Sequence, residues 1–342
     1  MMRRAWIGCV CAAWGVVAVA QEVAWIDVHT HIQVAAGVLP AGAADGAVDS
    51  MNRLGIERSL LMPPPQPDRH IRGFHDLGDL QHAVRAHPGR FALLGGSALN
   101  AMLHQTPADA VDDAVKARFR QQALDYVAQG AVGFGEIALL HLSLPLMGAT
   151  HPYESVPGDH PLLLLLADIA AEQQRPVDLH FDLVPEDMPL PDSLRAQPSN
   201  PDRLDANGEA FKRLLAHNPK AVFIWSHVGF EPLLTRHPER VRQLLKTYPN
   251  LHMSFRVNRG APRPAAALDP AGRLKPQWQA LIGDFPDRFM LGSDAFYGPG
   301  GSERGATEEG LQNLRQLVAQ LPPDVARQVA RDNAIRLYRL RP

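Results

Sequence analysis

Cysteine is nearly absent. The 342 residues hold two, Cys9 and Cys11, both inside an N-terminal stretch that the sequence marks for removal. Arg3 and Arg4 precede an apolar run from Ala5 that finishes in Ala18-Val19-Ala20. This is the basic region, apolar region and small-residue cleavage site of a secretory signal peptide, residues 1–20, cut before Gln21. The run is short for a spanning helix and lacks a basic flank after it, which sets it against a retained anchor. Neither cysteine suits lipid attachment, because too little apolar sequence precedes Cys9 and Val10 stands before Cys11. A chain starting at Gln21 has no thiol. Disulfides and thiolate nucleophiles are thereby excluded, and any metal must be held by His, Asp or Glu. The expected location is the periplasm or the medium, with no membrane attachment after cleavage.

Neither sign of charge predominates. Losing Arg3 and Arg4 takes the formal charge from −2 to −4, with no block of like charge and no basic stripe. That argues against a nucleic-acid partner. Lysine is scarce: Lys116, Lys212, Lys220, Lys246 and Lys275 are the full set, each in a predicted helix or loop. No low-complexity linker divides the chain. About 320 mature residues accommodate either two average domains or one large α/β barrel.

What is present decides between them. A strand at Ala24–Val28 ends in His29-Thr30-His31, and further strands are predicted at 57–62, 91–99, 131–137, 176–181, 221–227, 251–256 and 288–292. Helical patterns fill the intervals at 47–54, 75–86, 108–129, 161–173, 203–217, 231–248 and 277–285, with two more at 307–320 and 323–337. Alternation of this kind argues for parallel strands with helical crossovers, and eight units favour a single distorted (β/α)8 TIM barrel spanning 21–342. Proline-rich loops at 142–159, 183–201 and 258–276 are longer than usual and are candidate walls or lids of a site.

In such barrels chemistry sits where strands end. His29 and His31, at i and i+2 on a strand, share a face about 7 Å apart along the chain, which suits two nitrogens closing on one metal ion. The other strand ends supply Glu136, His180, His227 and Asp294. Each alone has an ordinary reading: a solvated strand end for Glu136, a hydrogen-bonded core histidine for His180 or His227, a turn or cap for Asp294. Four imidazoles and two carboxylates, each at the right end of its own strand, make a metal site the better reading.

On these residues, His29-Thr30-His31, Gly135-Glu136, His180, His227 and Ser293-Asp294, with the closing Asn333-Ala334-Ile335-Arg336-Leu337-Tyr338, the chain resembles the metal-dependent amidohydrolase superfamily in its amidohydrolase-related branch. The resemblance spans essentially the whole mature chain. It implies one or two divalent ions at the C-terminal rim. His29, His31 and Asp294 would bind the more buried ion, and His180 and His227 the more exposed one. Glu136 would bridge them, as in TatD-type branches, unless it stands behind a single-ion site. Many relatives bridge with a carbamylated lysine at the fourth strand, which the positions of the five lysines exclude here.

Nitrogen and oxygen donors with open positions suit Zn²⁺, with Mn²⁺, Ni²⁺ or Fe²⁺ as alternatives. A bound ion lowers the pKa of its water and polarises a carbonyl, and Asp294 would carry the proton to the leaving group. Arg256, at the end of strand 7, is the candidate to hold a substrate carboxylate or phosphate bidentately. His70, Arg72, His75, His141 and Asp182 are weaker candidates, and Trp225 is expected either to share the ligand face or to pack in the core. The expected activity is hydrolysis of a small ester, lactone, amide or related bond. The rival from another class is decarboxylation of an aromatic or unsaturated acid, which a one-ion site would favour. A third reading is a barrel without catalysis. The partner implied is a small-molecule substrate, and homo-oligomerisation is left open.

Overall fold

The computed structural model describes residues 24–34, 39–71, 73–145, 148, 151–230, 232–257, 265–305 and 308–341. The signal-peptide reading, Arg72 and parts of the long loops lie outside the described residues.

Eight parallel strands close into a barrel: β1 (Trp25–Ile32), β2 (Ile56–Leu61), β3 (Phe91–Gly95), β4 (Gly133–His141), β5 (Val177–Phe181), β6 (Phe223–Val228), β7 (Leu251–Phe255) and β8 (Phe289–Leu291). Neighbours in sequence are neighbours in space, and β8 pairs with β1 at Asp27↔Leu291 to complete the ring. Helices cover the outside: α1 (Ala43–Leu54), α2 (Leu77–Ala86), α3 (Ser97–Gln105), α4 (Asp113–Ala128), α5 (Pro161–Gln173), α6 (Gly208–His217), α7 (Pro238–Thr247) and α8 (Pro276–Asp284). A hairpin, β9 (Ala295–Gly298) and β10 (Gly301–Gly305), lies beside β1. The chain closes with α9 (Glu308–Val318), α10 (Pro323–Arg327), a π-turn at Gln328–Asp332 and α11 (Asn333–Tyr338).

Strand alternation sorts the side chains. On β5, Val177, Leu179 and Phe181 join the cluster shared with the helices, so Asp178 and His180 point inward; on β7, Leu251, Met253 and Phe255 face out and Ser254 and Arg256 face in. Ile26, Val28, Leu60, Leu94, Ile224 and Met290 form a second cluster with Ala334, Leu337 and Tyr338, so the C-terminal helix floors the barrel. Above that floor the interior turns polar. Two glycines make room for it: a Cβ at Gly292 would stand 2.9 Å from that of His29, and one at Gly135 would stand 2.7 Å from that of Asp178.

Several boundaries differ from expectation. β1 runs through both histidines to Ile32 instead of stopping at Val28. β4 continues to His141, where it gains an antiparallel partner at Glu154–Ser155. The strand expected to reach Leu99 ends at Gly95, and α3 begins at Ser97. Close packing explains that stop: a Cβ at Gly95 would meet the Tyr126 ring at 2.4 Å, and one at Gly96 the Gly135 carbonyl at 2.4 Å. Helix α6 starts at Gly208, because Arg203–Leu204 is taken up by a short ladder with Met188–Pro189.

Candidate metal centre

The first half of the site hangs on β1. His29 Nδ1 lies 3.1 Å from Asp178 Oδ1 on β5, and that oxygen also accepts the Ser226 hydroxyl of β6 at 2.8 Å. Ser254 on β7 donates to Ser226 at 3.2 Å, so three inward side chains lock one ring nitrogen. His31 Nδ1 is held at 2.8 Å by the Met62 carbonyl, and its ring stacks on Phe296 with centroids 4.3 Å apart. Both Nε2 atoms are left facing Glu136 Oε2, each at 3.6 Å.

The second half is gathered by the other oxygen of the same carboxylate. Glu136 Oε1 lies 2.7 Å from His180 Nδ1 and 3.1 Å from His227 Nε2. One carboxylate therefore joins two donor sets, His29/His31/Glu136 and Glu136/His180/His227, each with ligand atoms within 4.8 Å of one another.

Asp294 follows β8, its backbone N–H donating to the His29 carbonyl at 2.8 Å. Its Oδ1 stands 3.1 Å from His31 Nε2 and 3.9 Å from His29 Nε2, while Oδ2 is paired with the Arg256 guanidinium. Arg256 in turn lies over the Phe230 ring, 4.1 Å from its centroid. Asp294 and His227 both adopt left-handed backbone, at φ 58° and 65°, a conformation costly for most side chains and commonest at functional positions.

Charges are coupled through these contacts. Burial lowers the basicity of His29, but the Asp178 and Glu136 carboxylates outweigh it and raise the ring well above its ordinary value. Burial opposes ionisation of Glu136, yet His29, His180 and His227 hold it well below the usual carboxylate range. His180 is pulled down by burial and lifted further by Asp182 and Glu136, to about 9, whereas burial dominates at His227 and takes it to about 3. Asp294 is kept ionised against burial by Arg256 first, then by His227 and His31.

These residues fit a divalent cation. His29 Nε2 is buried with no hydrogen-bond partner while its other nitrogen is fixed by a carboxylate, the arrangement that aims imidazole at a metal. The donors, imidazole nitrogen and carboxylate oxygen, suit borderline and hard ions.

All six strand-end residues of the sequence reading thus converge, and Arg256 joins them through Asp294. The weaker candidates divide. His70 is exposed. His75 is buried, with its N–H on Gln66 at 3.1 Å and Nδ1 2.9 Å from the Gly73 carbonyl. His141 lies beside His180, ring centroids 4.5 Å apart, and Asp182 stands behind His180 with Oδ2 3.7 Å from Nε2. Trp225 does not share the ligand face; it packs against Phe181 and Phe211 and donates to the Phe181 carbonyl at 2.8 Å. Sequence reasoning missed Asp178, two residues before His180 and so on the same inward face, and Ser226, Ser254 and Arg236.

The family model described as amidohydrolase matches residues 26–340. No curated protein matches the chain. Among solved structures, a probable 2-pyrone-4,6-dicarboxylic acid hydrolase from Acinetobacter baumannii with citric acid bound is similar, with TM-score 0.54 and 13% identity over 93% of this chain and 100% of that one. A 2,6-dihydroxybenzoate decarboxylase complexed with 2,6-dihydroxybenzoate gives TM-score 0.50 and 16% identity over 93% and 100%. At these identities the likeness speaks to fold; the family match, over nearly the whole described chain, carries the assignment. The chain belongs to the amidohydrolase family and is an enzyme of that superfamily.

Proposed function

We propose that the chain is a divalent-metal-dependent hydrolase that cleaves a small ester, lactone, amide or related bond. The observation that carries this reading is the divided carboxylate of Glu136, with Oε2 toward His29 and His31 and Oε1 toward His180 and His227. In this reading His29, His31 and Asp294 hold a buried ion, His180 and His227 hold a more exposed one, and Glu136 lies between as in TatD-type branches. Zn²⁺ suits the donors best. What such ions supply is a water of lowered pKa and polarisation of the scissile carbonyl.

The protein's own part follows from contacts. Asp294, ionised and with Oδ1 beside His31, accepts a proton and returns it to the leaving group. Arg256 fixes the other oxygen of Asp294 and, by its guanidinium, holds an anionic substituent of the substrate. His141 packs edge-on against His180 and holds that ring in place.

Turnover of purified, zinc-supplemented protein on a panel of esters, lactones and amides tests the reading. Hydrolysis of at least one class is expected. Release of CO₂ from hydroxybenzoates without any hydrolysis contradicts it and establishes the decarboxylase. Export is proposed as well, supported by the A-x-A boundary, with an N-terminus at Gln21 in the periplasmic fraction or medium as its check.

A further inference from the structure

We propose that Asp182 and Arg236 form a buried positioning pair that orients the His180–His227 half of the metal centre and sets its affinity for a cation. The inference rests on the metal-centre reading above.

Asp182 follows β5 by one residue and is 2% exposed; Arg236, in the segment before α7, is 1% exposed. A fully buried guanidinium is costly unless it is paired and hydrogen-bonded, so its contacts reveal its task. Arg236 Nη1 donates to the Ser226 carbonyl at 2.5 Å, the peptide group that leads directly into His227. Its Nη2 lies 3.7 Å from Asp182 Oδ1, and the guanidinium lies over the Trp225 ring at 5.2 Å. Asp182 Oδ2 accepts the Leu142 N–H at 3.2 Å and stands 3.7 Å from His180 Nε2. One cation thus reaches the backbone of His227 and the carboxylate behind His180 together. Asp182 thus backs the His180 ring on the side away from Glu136, and Arg236 fixes the backbone that leads into His227.

The same logic that places Asp178 behind His29 places Asp182 behind His180. At His29 the Asp178 carboxylate holds Nδ1 at 3.1 Å and leaves Nε2 toward Glu136; at His180 the Asp182 carboxylate stands 3.7 Å from Nε2 as the ionic neighbour of the ring, and Nδ1 faces Glu136. The outer version differs in having a cation, Arg236, behind the carboxylate.

The test uses the full mature protein, with Asp182→Asn as the near-isosteric change and Arg236→Lys as the conservative one. Metal-free protein labelled in histidine is read by nitrogen-15 NMR. The wild type is expected to show one set of His180 signals with a proton on Nδ1, facing Glu136, and Asp182→Asn to move those signals by loss of the carboxylate beside Nε2, with His29 unmoved. Zn²⁺ titration against a chelator is expected to show the outer ion bound 10–100-fold more weakly in Asp182→Asn, with the inner ion changed less than about twofold. Arg236→Lys is expected to fall between the two, because charge is kept and the fork to the Ser226 carbonyl is lost. Thermal melts confirm that each variant folds; if Asp182→Asn does not, Arg236→Lys carries the same comparison. An unchanged His180 signal together with unchanged zinc affinity overturns the proposal. Uptake of a single ion by the wild type would sink the two-ion reading alone; the NMR comparison would still decide the role of Asp182.

Discussion

The two halves of the metal centre are built in different ways. His29 and His31 stand on one strand, fully buried, and are fixed by neighbours that the barrel itself supplies: Asp178, Ser226 and Ser254 on consecutive strands, and the Met62 carbonyl. His180 and His227 come from two strands, and His180 is 16% exposed. They are backed by an ion pair whose members lie beyond the strand ends, Asp182 and Arg236. Beside them pack His141 and the partly exposed His151, with ring centroids 4.7 Å apart. All four histidines stand on strands, so the difference lies in what backs them: strand side chains behind the buried pair, and groups beyond the strand ends behind the pair that includes the partly exposed His180.

The largest expected effect falls on Asp294, the residue proposed to carry the proton. Asp294→Asn should lower kcat by about 10³-fold, within the range for loss of a positioned acid–base group, with folding intact by circular dichroism. Asymmetry between the halves comes next. His29→Asn strips Asp178 of its ring partner in a buried setting and should cost about 1–3 kcal/mol of stability in denaturant titration as well as the inner ion. His180→Asn, at the exposed edge, should lose the outer ion with a smaller stability cost. Equal destabilisation by the two would break the comparison. Ser226→Ala removes one donor to Asp178 and should weaken the inner ion roughly tenfold while sparing the outer one.

An effect on stability alone concerns Glu154, buried near the outer half, where Asn100 Nδ2 donates to it at 3.1 Å and His104 Nε2 lies 3.5 Å away. Burial raises this carboxyl from 4.5 to about 7, against the Asn100 hydrogen bond. Between those values the folded state keeps a proton that the unfolded chain releases, so this group's contribution to stability falls as pH rises from 4.5 to 7. Glu154→Gln, which cannot ionise, should remove that fall, leaving the variant more stable than the wild type at pH 7.5 by about 3 kcal/mol and near-equal at pH 4.5. Chemical unfolding at the two pH values reads the difference.

The fold and the six converging residues were legible because both depend on period-two alternation and on where strands stop. His29, His31, Glu136, His180, His227 and Asp294 could be placed on one rim without knowing how strands pair. What was hidden depends on register between strands. Asp178 touches His29 only because β5 and β1 face each other across the barrel, and Ser254 reaches Ser226 through the β6–β7 register. Arg236 reads as an ordinary loop cation until its reach to the Ser226 carbonyl is seen. Trp225 was half readable: alternation puts it on the face opposite Ser226, which is the helix-facing side, where it packs. The helix at Ser97–Gln105 was lost to a continuous apolar run whose break at Gly95-Gly96 is dictated by Tyr126 and Gly135.

The central claim is that the Glu136 carboxylate joins two cation sites, and metal content by elemental analysis of the purified chain beside its Glu136→Gln variant tests it most directly. About two ions per chain are expected in the wild type and about one in the variant, the buried ion surviving on His29, His31 and Asp294. One ion in both would contradict it, reducing Glu136 to a support for a single-ion site and turning the search for substrates toward acids that lose CO₂.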